Sequence, residues 1–334
     1  AKSPNLSDKE LKEAVNFCHN NKKKIYVAVN IFAHNSDLEK IPSYLKFLQK
    51  INVDAIIVSD PAIFALAKEN IPELPVHVST QANITSWKSA EFWFKRGAKR
   101  VILARELTIS EIRKIRGKVP GIELEMFIHG AMCMSYSGRC LLSSFLNNRS
   151  ANRGYCTQPC RWKYHLVEET EPGEYFQIEE DEYGSYILNS KDLCLIDRLS
   201  EIMEAGINSV KIEGRMKSLY YVANVTRTYK EALNLLSTGK DIPSDLKEEL
   251  NKISHRHYTQ GFFDKFDSTT TQFYDSSSYI RKYQFIGEII KTKKNSIFIS
   301  IRAKFNLGEE IEIIFPDRQD DLTIKVNNIF DEEG

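Results

Sequence analysis

Residues 55–80, AIIVSDPAIFALAKENIPELPVHVST, read as strand, helix, strand. AIIVSD (55–60) is apolar and β-branched, the stretch from Pro61 to Asn70 has helix length and opens on a proline, and VHVST (76–80) is again a short apolar run. Both runs are too uniformly apolar for a strand with one wet face, so they predict a parallel sheet covered by helices. Working outward, further strands are expected at IYVAVN (25–30), RVILAR (100–105), ELEMFIHG (123–130), YILNS (186–190) and SVKIEG (209–214). Helices are expected at 38–50 after Asp37, 85–96 capped by Thr85, 109–117 capped by Thr108, and 195–205 closing at Gly206. Seven strands in βαβα order predict a (β/α)8-type, TIM-like barrel. Ser7 and Glu10 form a capping box for a helix at 8–19, ahead of the first strand, whereas such a barrel opens on a strand. The first βα unit is therefore expected to be missing; a seven-strand or open sheet is the alternative.

The expected barrel takes residues 1–130 and 186–255. Between them lies a Cys-rich insertion, 131–185, with a hairpin running from KYHLVEE (163–169) into YFQIEEDEYGSYIL (175–188). Helices at 218–238 and 244–254 precede a linker, 256–278. From 279 to 334 FIGEII, SIFISIRA, EEIEIIF and LTIKVNNIF alternate apolar and polar residues around turns at KTKKN and PDRQDD, which predicts a small antiparallel β-domain, cut short at its end.

The 334 residues carry 46 Lys and Arg against 45 Asp and Glu, and 42% are hydrophobic, so the chain can build a core and is no polyelectrolyte. Its longest apolar runs, such as AIIVS (55–59) and VILA (101–104), fall far short of the roughly 18 residues of a membrane helix. The first residues lack the apolar core of a signal peptide, which predicts a cytoplasmic protein. In that reducing compartment the six Cys are not expected to form disulfides, yet Cys133, Cys140, Cys156, Cys160 and Cys194 crowd into one stretch.

Barrel chemistry sits at the carboxyl ends of the strands. Those ends carry Asn30, Ser59 with Asp60, Ser79 with Gln81, Arg105 with Glu106, His129, Ser190 with Lys191, and Glu213 with Arg215, which predicts a polar pocket. His129, three residues before the Cys stretch, is a candidate proton carrier, and Glu213 a second catalytic candidate. Lys211, Glu213 and Arg215 share a face until their strand ends, so they either clamp an anion or close the barrel as a salt-bridge network. The Cys spacing lacks the paired C-x-x-C knuckles of structural zinc; four thiolates from separated loops suit an iron–sulfur cluster, and buried unmodified thiols are the ordinary alternative, which is how Cys18 is read. Cys133, Cys140, Cys156 and Cys194 are the expected ligands, with Cys160 in reserve. Arg149, Arg153, Arg161 and Lys163 interleave with Tyr155, Trp162 and Tyr164, a pattern that fits splayed RNA bases or a solvated basic loop. No HExxH or GxSxG motif supports a peptidase; Cys133 or Cys140 paired with His129 is the remaining arrangement, and it leaves three thiols unexplained.

MFIHGAMCMSYSGRCLLSS (126–144) resembles the signature of the collagenase-like peptidase family U-32, with Glu125, Phe127, Gly130, Cys133, Gly138, Cys140 and Ser143 filling it in order. NRGYCTQPCRWKY (152–164), NSKDLC (189–194) and KIEGRMKS (211–218) extend the resemblance over essentially the whole chain. Within the family the chain is most similar to the branch that modifies the tRNA wobble uridine to 5-hydroxyuridine. That resemblance implies a [4Fe–4S] cluster, independence of molecular oxygen, prephenate as co-substrate and tRNA as partner. With that substrate, the polar strand ends and the basic aromatic stretch are expected to bind it through Ser79, Gln81, Arg139, Lys211 and Arg215, with Tyr155 and Trp162 holding the base and Arg149, Arg153 and Arg161 the phosphates. A homo- or hetero-oligomer is compatible with it. The alternatives are a peptidase of the same family and a cluster-bearing accessory subunit of a hydroxylase. The branch usually opens with a strand and a Gly-containing loop of the kind APAG, absent here.

Overall fold

The computed structural model describes residues 5–133, 135–161, 165–166, 176–177, 191–265, 280–294 and 296–330. Two units separate: Ala1–Glu213 with His257–Ser277, and Gly214–Arg256 with Ser278–Gly334.

The first unit opens with α1 (Asp8–Asn20), whose capping box of Ser7 and Glu10 is formed. Strands β1 (Tyr26–Ala28), β2 (Ala55–Val58), β3 (Val76–Val78), β4 (Arg100–Ile102) and β5 (Glu123–Ala131) then pair side by side, all parallel. Helices α2 (Asn35–Leu38), α3 (Ile41–Lys50), α4 (Pro61–Asn70), α5 (Trp87–Lys95) and α6 (Ile109–Lys118) connect them. The start of α4 shows why the opening stretch folds as it does: the Asp60 carboxylate accepts from the backbone N–H of Ala62 at 2.7 Å, and Pro61 needs no partner at the first helical position. Apolar faces meet over the sheet, with Leu45 and Leu48 of α3, Ile63 and Ala67 of α4, and Ile112 and Ile115 of α6 buried against fully buried Ile56, Val58, Val76 and Val78. Helix α5 is capped by Ser86, one residue after the expected Thr85, because the Ser86 hydroxyl is the one that reaches the N–H of Ser89.

The insertion contains α7 (Leu142–Asn147) and a short antiparallel pair, β6 (His165–Leu166) with β7 (Phe176–Gln177). The chain returns in β8 (Asp192–Cys194), passes through α8 (Leu199–Glu204) and reaches β9 (Ser209–Ile212). Here the architecture departs from the expected closed barrel. Strand β5 branches: its first part pairs parallel with β9, while His129–Ala131 pairs antiparallel with β8. The final strand of the unit, β10 (Tyr258–Thr259), lies parallel to β8 and comes from the stretch expected to be linker. Closure needs partners on both edges of every strand, but among the described residues β1 pairs only with β2 and β9 only with β5. The result is an α/β fold on a mainly parallel sheet, not a closed (β/α)8 ring. The strand expected at 186–190 lies outside the described residues.

The second unit groups α9 (Leu219–Ser237) and α10 (Ser244–Glu248) with the carboxyl-terminal strands, not with the sheet as expected. Those strands form two antiparallel pairs, β11 (Gly287–Lys293) with β12 (Ser296–Ile301), and β13 (Glu310–Ile313) with β14 (Leu322–Lys325). Arg227 of α9 binds Glu249 at 2.8 Å, Asp321 at 2.6 Å and the Phe315 carbonyl at 2.9 Å. Among the described residues no helix is long and apolar enough to cross a membrane.

Candidate functional site

Strand alternation and parallel register bring a polar layer onto one face of the sheet. Arg100 on β4 donates to Glu123 at 2.7 and 3.0 Å and to Glu125 at 2.9 Å, and Lys211 on β9 stands 3.4 Å from the other Glu125 oxygen. Burial pushes the Glu125 carboxyl up, but Lys211, the Ser209 hydroxyl and Arg100 outweigh it and hold the group below the usual carboxylate range. His77 of β3 packs edge-on against Tyr26 with ring centroids 4.8 Å apart. Burial, reinforced by Arg100, lowers the His77 pKa to about 4, so the ring is neutral near pH 7. Lys211 thus takes part in a salt-bridge network with Glu125 and Arg100.

A second cluster lies at the carboxyl ends of β4, β5 and β9. Arg105, three residues beyond β4, has only 8% of its side chain exposed, and its guanidinium lies 3.9 Å above the ring of Phe127. Its Nη1 donates to the carbonyl of Ala131, and its Nη2 stands 3.8 Å from a Glu213 carboxylate oxygen. Glu213 is fixed in turn by its backbone N–H, which donates to the His129 carbonyl at 2.9 Å. His129 itself is 1% exposed on β5, with its ring 5.4 Å from that of Tyr258. Burial also raises the pKa of neighbouring Glu106. Because β9 ends at Ile212, Glu213 and Arg215 lie past the strand, and alternation no longer holds them on the Lys211 face. Arg215 is exposed and belongs to the second unit. Sequence reasoning saw Arg105 only as one polar strand end among seven; its burial against Phe127 depends on the β4–β5 register, which composition does not reveal.

The front half of the insertion is fastened across the loops after β1 and β3. Arg139 Nε donates to the Asn83 side chain at 2.8 Å, Asn83 donates to the Ser137 carbonyl at 3.3 Å, and the Arg139 guanidinium lies 4.9 Å from the Phe32 ring centroid. Asn152 accepts from the Phe32 N–H at 2.7 Å and donates to Gln81 at 3.1 Å, while Arg153 grips Asp37 with contacts of 2.5 and 3.3 Å. Gly138, at φ +78°, backs onto Gln81 so closely that a Cβ would meet it at 3.0 Å. Ser79 is buried and accepts from the Gln81 N–H at 3.2 Å, capping the turn that presents Gln81. Ser79, Gln81, Arg139 and Arg153, all expected to bind substrate, stand here among the contacts that fasten the insertion. Arg139 and Arg153 do so because each finds a partner on the sheet side.

None of the six cysteines is in a disulfide. Cys140 and Cys156 sit on two arms joined by one serine: Ser143 accepts from the Thr157 N–H at 3.0 Å and its hydroxyl lies 3.2 Å from that of Thr157, which Asn147 also reaches at 2.9 Å. The Gln158 N–H donates to Cys156 Sγ at 3.3 Å. Cys194, on β8, is the register partner of His129. Cys133 is exposed and Cys160 partly buried. Among the described residues no three His, Cys, Asp or Glu side chains are gathered closely enough to hold a metal ion. Tyr155 and Tyr136 are exposed, as is Phe145 of α7 at 85%, an aromatic the sequence reasoning passed over. Arg161 lies in the turn Pro159–Arg161; Trp162, Lys163, Tyr164 and Ser190 lie outside the described residues.

Fold and site together define an α/β protein whose thiol-bearing insertion is fastened over the carboxyl ends of a mainly parallel sheet. The model of peptidase family U32 matches residues 1–272, and that of the peptidase family U32 C-terminal domain matches 281–334. The chain belongs to this family. It is 36% identical over 361 residues to the tRNA hydroxylation protein P of Escherichia coli (strain K12), covering 96% of this chain and 80% of the relative. It is 37% identical over 335 residues to the tRNA hydroxylation protein P1 of Bacillus subtilis (strain 168), covering 99% and 79%. A protein of Methanocaldococcus jannaschii named as an uncharacterized protease is 39% identical over 325 residues, covering 94% and 78%.

Proposed function

We propose that the protein is an RNA-modifying hydroxylase that converts the wobble uridine of tRNA to 5-hydroxyuridine in the cytoplasm, without molecular oxygen and with prephenate as co-substrate. The observation that carries this is the 36% identity to a tRNA hydroxylation protein over 96% of the chain. Cys133, Cys140, Cys156 and Cys194, with Cys160 in reserve, would hold a [4Fe–4S] cluster. What supports this is the donor chemistry: five cysteines outside any disulfide lie on segments that start from or return to β5, and the Gln158 N–H already donates to Cys156 Sγ. When bound, such a cluster supplies redox chemistry.

The protein's own residues account for the remaining requirements. Replacing the C5 hydrogen of uridine by hydroxyl removes two electrons, for which redox chemistry of the kind a cluster would supply is needed, and releases a proton, for which His129 with Glu213, joined through the His129 carbonyl, is the candidate pair. A base in an anticodon loop can be splayed onto an aromatic ring, a role for exposed Tyr155 with Trp162. Arg149 and Arg161 take backbone phosphates, while Arg153, already paired with Asp37, holds the loop in place.

Peptide-bond hydrolysis is the second reading, favoured by the name of the archaeal relative. It would use Cys133 or Cys140 with His129, whereas the cysteine that faces His129 in register is Cys194. Anaerobic purification with iron and sulfide analysis, combined with mass spectrometry of tRNA nucleosides from a strain lacking the protein and any redundant paralogue, tests the proposal. Bound iron and sulfide and missing 5-hydroxyuridine are expected. Unchanged 5-hydroxyuridine would overturn the proposal, and protein cleavage by a clean, iron-free preparation would establish the second reading.

A further inference from the structure

A buried guanidinium is stable only when its donors and its charge are met. Arg105 falls short on the first count and meets the second only through a loose ion pair. Nη1 is satisfied by the Ala131 carbonyl, but on the opposite edge, formed by Nε and Nη2, Nε is buried with no hydrogen-bond partner among the described residues, and Nη2 stands 3.8 Å from the Glu213 carboxylate, beyond hydrogen-bond length. That edge presents two parallel N–H donors, the geometry that takes both oxygens of one carboxylate. The Phe127 face beneath the guanidinium fixes its plane, and Lys211 lies 5.6 Å from the same ring, so two cations flank one position. Glu213 is a third exposed and can turn toward water. Ala131, which takes Nη1, is two residues before Cys133, where the thiol-bearing insertion begins.

We infer that Arg105, assisted by Lys211, is the carboxylate receptor of the site, taking one carboxylate of a small organic acid in a bidentate grip after Glu213 swings aside. This rests on the proposed hydroxylase with its carboxylate co-substrate, and it moves the grip from Arg215 to Arg105. With only 8% of its side chain exposed, Arg105 is a poor receptor for the bulky phosphodiester of an RNA backbone. A small carboxylate can reach it.

The test is calorimetric titration of the full, anaerobically prepared protein with prephenate and, in a second arm, with inorganic phosphate. Wild type is expected to bind prephenate, and Arg105→Gln to bind it at least about 10-fold more weakly. Arg105→Lys keeps the charge over Phe127 but not the fork, so it guards against misfolding; it should lose several-fold in affinity with its melting temperature nearly unchanged. Glu213→Gln, which removes the competing carboxylate, should bind as tightly as wild type or more so. Equal binding by wild type and both Arg105 variants overturns the inference and leaves the co-substrate in place. Binding of phosphate but not prephenate, lost in Arg105→Gln, overturns the carboxylate class. No binding of prephenate by wild type overturns the co-substrate reading itself.

Discussion

Burying a carboxylate is unfavourable unless cations meet it, and Glu125 is met by two, Arg100 at 2.9 Å and Lys211 at 3.4 Å. Removing it leaves Lys211 without its carboxylate and Arg100 with Glu123 alone. Glu125→Ala is therefore expected to destabilise the protein by about 3–5 kcal/mol, measured by urea denaturation; a loss under 1 kcal/mol, by the same standard, would mean water screens the network. His77 answers to pH. Its folded pKa, about 4, lies below the unfolded value of 6.5, so as pH falls through that window the unfolded chain takes up a proton that the native ring refuses. Stability due to neutral His77 is complete above 6.5 and drains away toward 4, by at most about 1.4 kcal/mol per pH unit. In His77→Gln the melting temperature should fall less steeply than in wild type between these pH values. Sequence placed Glu125 in a recognisable signature but not its reason, since the reason is a pairing across three strands. The shared face of Lys211 was legible because spacing by two fixes it; its partner across the strands, Glu125, needed the register.

At the scale of elements, the helices and most parallel strands were readable from caps and apolar runs, Thr108 and Pro61 among them. The direction of β8 was not, because three residues with the same strand preference run either way depending on where the chain comes back. That return makes β5 a branch point and gives the site its compactness. The joint between the Cys140 and Cys156 arms was equally invisible, as it hangs on Ser143, fully buried inside the insertion. Ser143→Ala strips the Thr157 N–H of its acceptor, an expected loss of about 1–3 kcal/mol. If the two arms act together, the variant also retains less iron than wild type after anaerobic reconstitution. Iron content equal to wild type would show that the arms do not depend on this joint. Gly138→Ala should loosen the docked loop, since a left-handed backbone and a Cβ 3.0 Å from Gln81 are both unfavourable there; faster proteolysis within 133–160 is the expected readout.

Over the whole molecule, the alternating strands of the carboxyl-terminal part were plain in the sequence, but the allegiance of α9 and α10 to them was not. That allegiance is set by Arg227, which ties α9 to Glu249 and to Asp321 ahead of β14. Arg227→Met leaves those two carboxylates without their guanidinium, and faster hydrogen exchange across 219–237 and 310–325 should follow, with an expected loss of about 3–5 kcal/mol in that unit. In the first unit, the chain quits the sheet at Ala131 and rejoins it at Asp192, and these two residues face each other in the antiparallel register of β5 and β8. Partners of that kind stand about 5 Å apart. Residues 132–191 thus leave and re-enter the sheet through a single narrow doorway, so a relative's segment transplanted between Ala131 and Asp192 is expected to require matching partners for Asp37, Gln81 and Asn83 but no displacement of a host strand.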